Sequence, residues 1–218
     1  MVLNNFVVFE GIDGAGTSTQ IEMLKHRAGT ETFLFTAEPT TAATGLYLRQ
    51  MLKGEIRVTN ETAAYLFAAD RNEHINGELC TDGKTLITGV TKACHSGHTV
   101  VTDRYFFSSL AYQSISCNPD IPRTVNSFFP LPALLFYFDI TPAQSLQRIN
   151  GRNFREIYEQ EEFLNKTVSA YKTILKEYEN PAKNQGMKTV IIDATAKKED
   201  ISTIIWKEIQ NSIKLPIL

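Results

Sequence analysis

Short apolar runs alternate along the chain with stretches of helical periodicity. Runs of strand length fall at residues 6–10, 32–36, 99–103, 134–139 and 189–193. Several are apolar in succession, as in Phe6-Val7-Val8-Phe9, which is the pattern of strands covered on both faces of a parallel sheet. Leu164, Val168, Tyr171, Leu175 and Tyr178 recur at four-three-four-three spacing and predict an amphipathic helix. Ile201, Ile205 and Ile209 mark a last helix, which Pro216 would end. Strands alternating with helices predict an α/β fold: a doubly wound, five-stranded parallel sheet flanked by helices. In such folds ligands sit beyond the carboxyl ends of the strands. All five runs end at polar residues: Glu10, Thr36, Asp103, Asp139 and Asp193. Residues 76–84, with two glycines and mixed polarity, read as a surface loop.

Composition narrows the picture without supplying a function. A length of 218 residues suits one domain with a sizeable core. With 43% hydrophobic residues, 21% charged residues and a net charge of −2, nothing points to nucleic acid or an anionic membrane as a partner. Anionic ligands would be met by local arginine clusters. Cys80, Cys94 and Cys117 are odd in number, widely spaced and without a Cys-x-x-Cys pair, which suits reduced thiols in a cytoplasm. Cys94 and His95 lack further ligands at metal spacing and read as structural. No signal-peptide pattern precedes Phe6, and no apolar run approaches the ~18 residues of a membrane span.

The first run leads into the stretch with the strongest chemical content. Gly11-Ile12-Asp13-Gly14-Ala15-Gly16-Thr17-Ser18-Thr19 places three glycines between a buried strand and a helix. Glycines there let backbone N–H groups wrap an anion, with the helix N-terminus adding partial positive charge. The spacing Gly11-x-x-x-x-Gly16-x-Ser18 is that of a phosphate-binding P-loop, with Ser18 where a Mg²⁺-ligating hydroxyl belongs. The bland alternative is a tight turn between core elements. Thr17 stands where the P-loop lysine belongs, and Lys25 lies two helical turns on, ~12 Å along the axis, too far to substitute.

Three further groupings carry possible chemistry, each with a plain structural alternative. Asp103 and Arg104 close the third run: the acid could act on Mg²⁺ and the guanidinium could clamp a phosphate, or the two could form a local ion pair. Phe67 and Arg71, at i and i+4 of a helical pattern, could stack and hydrogen-bond a nucleobase, or be a core ring and a surface arginine. His74 reads as structural. Arg148, Arg152 and Arg155 could close over a polyphosphate, or form a solvated surface run.

Taken in order, these motifs resemble those of the thymidylate kinases. The strand-Glu-Gly-x-Asp-Gly-x-Gly-x-Ser-Thr-Gln pattern occupies 9–20, Ala37-Glu38-Pro39 follows the second run, and Phe-Ala-Ala-Asp-Arg-x-x-His occupies 67–74. Asp103-Arg104-Tyr105 precedes Ser-x-x-Ala-Tyr-Gln at 108–113, Asp139-Ile140-Thr141-Pro142 follows the fourth run, and Ile192-Asp193-Ala194 closes the set. The resemblance implies an ATP-dependent kinase that phosphorylates dTMP to dTDP, with Mg²⁺, in one domain that pairs into a cytoplasmic homodimer. By it, the backbone of 11–18 holds the ATP phosphates, Ser18 and Asp103 serve Mg²⁺, and Asp13 reaches the deoxyribose 3′-hydroxyl. Phe67 stacks on thymine, Arg71 bonds its O4 and Ser109 its edge. Pro39, Ser108 and Gln113 line the pocket, Tyr112 packs beneath the sugar, and Arg104 binds the acceptor phosphate.

The departures from the family pattern lie at the phosphates. Thr17 replaces the lysine, Gly14 leaves the P-loop without an arginine, and Ile157 stands where a lid arginine is usual. The lid, about 148–160, would then supply the charge through Arg152 or Arg155. Two other readings remain open at this point: a nucleotide-binding relative that has lost phosphoryl transfer, and a kinase for another nucleoside monophosphate.

Overall fold

The computed structural model describes residues 1–28, 32–80, 86–149, 158 and 160–213, with backbone alone for 78–80 and 86–88. In chain order the strands are β1 Val2–Gly11, β2 Phe33–Ala37, β3 Glu78–Cys80, β4 Leu86–Thr88, β5 Thr99–Asp103, β6 Leu131–Asp139 and β7 Lys188–Asp193. The helices are α1 Thr17–Ala28, α2 Ala43–Leu52, α3 Asn60–Asn76, α4 Val90–His95, α5 Phe106–Ser116, α6 Asp120–Asn126, α7 Pro142–Ile149, α8 Glu161–Glu177, α9 Pro181–Asn184 and α10 Lys198–Ser212.

Five strands form one parallel sheet in the order β2-β5-β1-β6-β7, flanked by helices. Each is a strand that the apolar pattern predicts. β1 sits in the middle, and its Phe6, Val7, Val8 and Phe9 are all buried, as neighbours on both sides and helices on both faces require. The Phe9 ring meets Phe136 edge-on at 5.1 Å and Phe138 at 5.6 Å, locking β1 to β6 through aromatic contacts. Register then sets the chemistry. Phe9 pairs with Asp103, and Asp103 pairs with Ala37, so the loops after β1, β2 and β5 emerge side by side.

The helices follow their sequence periodicity. α10 buries Ile201, Ile205 and Ile209, as predicted. α8 buries Leu164, Thr167, Tyr171 and Ile174, with Val168, Leu175 and Tyr178 only partly covered at the flank of that stripe. α3 starts at Thr59, whose hydroxyl accepts from Thr62 N–H. Its inward face is unusual in carrying Asp70, Arg71 and His74 beside alanines. One expectation needs correction: residues 76–84 are not simply a loop. Asn76 ends α3, and β3 then pairs antiparallel with β4, Leu79 opposite Ile87. The short strands lack the alternation that would have marked them. Among the described residues no helix is long and apolar enough to cross a membrane.

Candidate active site

The P-loop is built by backbone geometry that only glycine tolerates easily. Gly14 and Gly16 have φ of 79° and 99°, in the left-handed region. A Cβ on Gly14 would also lie 2.8 Å from the Ser145 carbonyl oxygen, so α7 approaches too closely for any side chain there. That contact leaves no room for an arginine at this position in the present backbone. Ser145, fully buried, donates its hydroxyl to the Asp13 carbonyl and ties α7 to the loop. Around the loop lies a cavity of about 400 Å³, lined by residues 12–20 with Phe138, Arg148, Ile149, Ala194, Lys198 and others. Arg148 donates to the Gly14 and Ala15 carbonyls at 3.3 and 3.4 Å and to Ala194 O at 2.7 Å.

At the mouth of that cavity Ser18 donates to Asp103 Oδ2 at 2.8 Å. A hydroxyl at the start of α1 and a carboxylate at the end of β5 are hard oxygen donors of the kind Mg²⁺ takes. Arg104 follows Asp103 with φ of 73°, a left-handed backbone that a non-glycine residue keeps only when its surroundings dictate it. Its Nη2 donates to Asp13 Oδ1 at 2.6 Å, and its Nη1 donates to Gly11 O at 3.0 Å and Ser108 Oγ at 3.1 Å. Its guanidinium carbon lies 5.5 Å from the centre of the Tyr112 ring. Burial opposes the charge on Arg104, but Asp13, Tyr112, Tyr171 and Asp103 outweigh it and keep the guanidinium charged well above its ordinary range.

A second cavity, about 330 Å³, opens on the other side of Arg104. Pro39, Phe67, Arg71, Ser108, Ser109, Tyr112 and Gln113 all line it, so the structure brings together every predicted substrate contact. Asp13, Ser18, Asp103 and Arg104 line both cavities and form their junction.

Arg71 is not the surface arginine of the plainer sequence reading: it is 1% exposed. It donates through Nε to Glu38 Oε2 at 2.9 Å, through Nη2 to Ser109 Oγ at 3.1 Å, and through Nη1 to Asn126 Oδ1 at 2.5 Å. Nη2 also pairs with Glu38 Oε2 at 2.6 Å. Glu38 Oε1 is 2.8 Å from His74 Nδ1, and His74 Nε2 is 3.0 Å from Thr36 Oγ1. This buried chain holds the guanidinium plane at the cavity wall and uses four of its five N–H groups. Asp70 anchors the neighbouring wall by accepting from Thr40 N–H, Thr40 Oγ1 and Thr44 Oγ1. Two residues of the cavity wall bury a polar atom, Tyr112 Oη and Gln113 Oε1, that has no hydrogen-bond partner among the described residues.

Several contributors escape the sequence reading. Arg49 on α2 lines the second cavity, donating to the Pro39 carbonyl and to Thr40 O. Tyr158 lines the same cavity, stacks on Phe163 at 5.0 Å and meets Tyr112 at 5.7 Å. No motif marks either, and a lone arginine amid the apolar face of α2 is the only signal available. Lys25 pairs with Glu22 at 2.5 Å and rests over the Phe35 ring, and it does not line the P-loop cavity. Arg152, Arg155 and Ile157 lie outside the described residues. Among the described residues Cys94 is buried and free. Among the described residues no cluster of three His, Cys, Asp or Glu forms a metal cage.

The arrangement can be set against known proteins. The family model for thymidylate kinase matches residues 9–205. A Treponema pallidum (strain Nichols) protein is 37% identical over 207 residues, 93% of this chain and 92% of its own. The Leptospira interrogans (serovar Lai) thymidylate kinase is 38% identical over 177 residues, 78% of this chain and 81% of that one. The solved structure of Candida albicans thymidylate kinase superposes with a TM-score of 0.71 at 20% identity, covering 95% of this chain and 92% of that one. At that identity the structural likeness is one of fold. With the model spanning most of the chain and relatives above 30% identity over more than two thirds of it, the chain belongs to the thymidylate kinase family.

Proposed function

We propose that the protein transfers the γ-phosphoryl group of ATP to dTMP, giving ADP and dTDP. The observation that carries this is the junction: a P-loop cavity and a base-sized cavity meet at Asp13, Ser18, Asp103 and Arg104. A phosphoryl group passing between two nucleotides needs that meeting point. Phosphoryl transfer depends mainly on positioning and charge stabilisation, and the residues here do both.

The ATP phosphates lie along the N–H groups of 11–18. dTMP enters the other cavity with thymine between Phe67 and Pro39, its edge facing Arg71 and Ser109. Arg71 arrives pre-oriented, since its other donors are already spent on Glu38, Ser109 and Asn126. Tyr112 lies beneath the deoxyribose and Asp13 reaches its 3′-hydroxyl, with Gln113 in the same wall. Arg104 takes the acceptor phosphate and brings its oxygen in line, assisted by Arg49 across the cavity. Ser18 and Asp103 would hold Mg²⁺, which would supply positive charge against the charge that develops on the phosphates. The donor set, a hydroxyl and a carboxylate at 2.8 Å, suits that ion.

Thr17 leaves the P-loop short of one cation. Arg152 or Arg155, in a lid at about 148–160 of a single domain, supplies it on closure, with Arg148 already against the loop. The homodimer forms through helices beside the sheet; exposed Leu46, Tyr47 and Tyr65 on α2 and α3 support that face. A cytoplasmic setting agrees with the free Cys94 and Cys117. The test of the function is dTMP-dependent ADP release from ATP and Mg²⁺. Replacing Arg152 and Arg155 together by alanine tests the lid, since unchanged turnover and nucleotide binding would remove that assignment.

A further inference from the structure

Glu10 is a fully buried acid to which none of the roles above gives work. It ends the apolar run of β1, one residue before the P-loop. Four donors converge on its carboxylate. Oε1 accepts from the backbone N–H groups of Tyr105 at 2.9 Å and Ser108 at 3.1 Å. Oε2 accepts from Ser108 Oγ at 2.6 Å and Tyr171 Oη at 2.8 Å.

These partners are not incidental to the junction. Tyr105 is the N-cap of α5 and makes no capping bond of its own, so Glu10 caps that helix from another strand. The helix N-terminus in turn favours a negative charge there. Tyr105 also follows Arg104 directly, so the bond to its N–H fixes the turn that keeps Arg104 left-handed. Ser108 Oγ, having spent its proton on Glu10, presents a lone pair to Arg104 Nη1 at 3.1 Å. Tyr171 brings in α8, the helix that follows the lid segment. One carboxylate thus joins β1, the Arg104 turn, α5 and α8.

We propose that Glu10 is a positioning residue of the acceptor site: through the Tyr105 and Ser108 N–H groups and the Ser108 hydroxyl, it sets the Arg104 guanidinium to receive the substrate's phosphate. The proposal rests on reading the second cavity as the dTMP site. Glu10→Gln tests it at nearly constant volume. The amide NH₂ cannot face two backbone N–H donors, so it turns toward Ser108 and Tyr171, whose hydroxyls can reverse. Ser108 Oγ then accepts from the amide and turns its proton toward Tyr171 Oη, 2.9 Å away, so the charge-assisted bond to Glu10 that fixes the hydroxyl is gone and its hold on Arg104 Nη1 is weakened.

The measurement is steady-state kinetics of the full chain with ATP and dTMP, with calorimetric binding of each nucleotide. The expected result is a KM and Kd for dTMP raised roughly 10- to 100-fold, the cost of one charge-assisted hydrogen bond, with KM for ATP within about twofold of wild type. A purely structural role would lower the active fraction, hence apparent kcat, and leave KM for dTMP alone. Folded Glu10→Gln protein with an unchanged KM and Kd for dTMP overturns the proposal. If Glu10→Gln does not fold, Ser108→Ala decides, since it removes the hydroxyl through which Glu10 reaches Arg104 and leaves both backbone N–H bonds in place: a raised KM for dTMP supports the proposal and an unchanged one overturns it. Wild-type protein that neither binds nor phosphorylates dTMP would remove the function itself and this proposal with it, a result distinct from a normal wild type with indifferent variants.

Discussion

Arg104 Nη2 donates to Asp13 Oδ1 at 2.6 Å, linking the residue after β5 to the P-loop after β1. Both side chains are about one-fifth to one-quarter exposed, at the junction of the two cavities. The pair is therefore accessible to an arriving phosphate, which can exchange for Asp13 on the same guanidinium. On the proposed function, that exchange would free Asp13 for the sugar hydroxyl, so that acceptor phosphate and sugar are recognised together.

Arg104→Lys keeps the charge but loses the fork that spans Gly11 O, Ser108 Oγ and Asp13. kcat/KM for dTMP is expected to fall roughly 10²- to 10³-fold, the scale of one well-placed donor. Kinetics at saturating ATP measure this, with circular dichroism as the check on folding.

Ser18→Ala removes one of the two oxygens assigned to Mg²⁺. The Mg²⁺ concentration for half-maximal activity is expected to rise about tenfold or more, with partial recovery at high Mg²⁺. A metal titration that superimposes on wild type would remove Ser18 from the metal site.

Arg71→Met leaves Glu38 buried beside His74 without its guanidinium partner. Losing one member of a buried pair costs about 3–5 kcal/mol, which for a chain of this size is a Tm lower by roughly 6–20 °C. Adding Glu38→Gln removes the stranded charge and is expected to recover much of that loss, while dTMP binding stays weak. Thermal unfolding of the single and double variants reads this directly.

Burial pushes the Glu10 carboxyl from 4.5 up to about 7, against the pull of Ser108, Arg104, Tyr171 and Tyr105. A folded-state value above the unfolded one means that the native state holds the proton more tightly. Glu10 therefore contributes stability fully below about 4.5 and loses it as pH rises to about 7. Wild type should lose stability relative to Glu10→Gln across that window and run parallel to it above. Denaturant unfolding at pH 4.5, 6 and 7.5 measures the difference, and parallel curves throughout would contradict the raised value.

Much of this site was legible in the chain because its parts are local. The P-loop spacing, the 67–74 helix and the 103–113 segment each carry chemistry within a few residues, and the apolar runs correctly placed all five strands of the main sheet. What escaped depends on contacts distant in sequence. Arg71 and Asn126 are 55 residues apart and Glu10 and Tyr171 are 161 apart, so no periodicity announces them. The spacing of Phe67 and Arg71 left a surface arginine as an alternative to a nucleobase contact, because only tertiary pairing with Glu38 makes its burial possible. β3 and β4 were missed because three-residue strands are too short to show alternation.

The most direct measurement is ADP formation from ATP and Mg²⁺ with and without dTMP, run beside a Thr17→Lys variant. The expected result is turnover by the natural protein that depends on dTMP, in the roughly 1–100 s⁻¹ range of kinases. The lysine variant would then bring no large gain, because other cations already serve the phosphates. dTMP binding without ADP formation by the natural protein, with turnover appearing only in the lysine variant, would contradict the account.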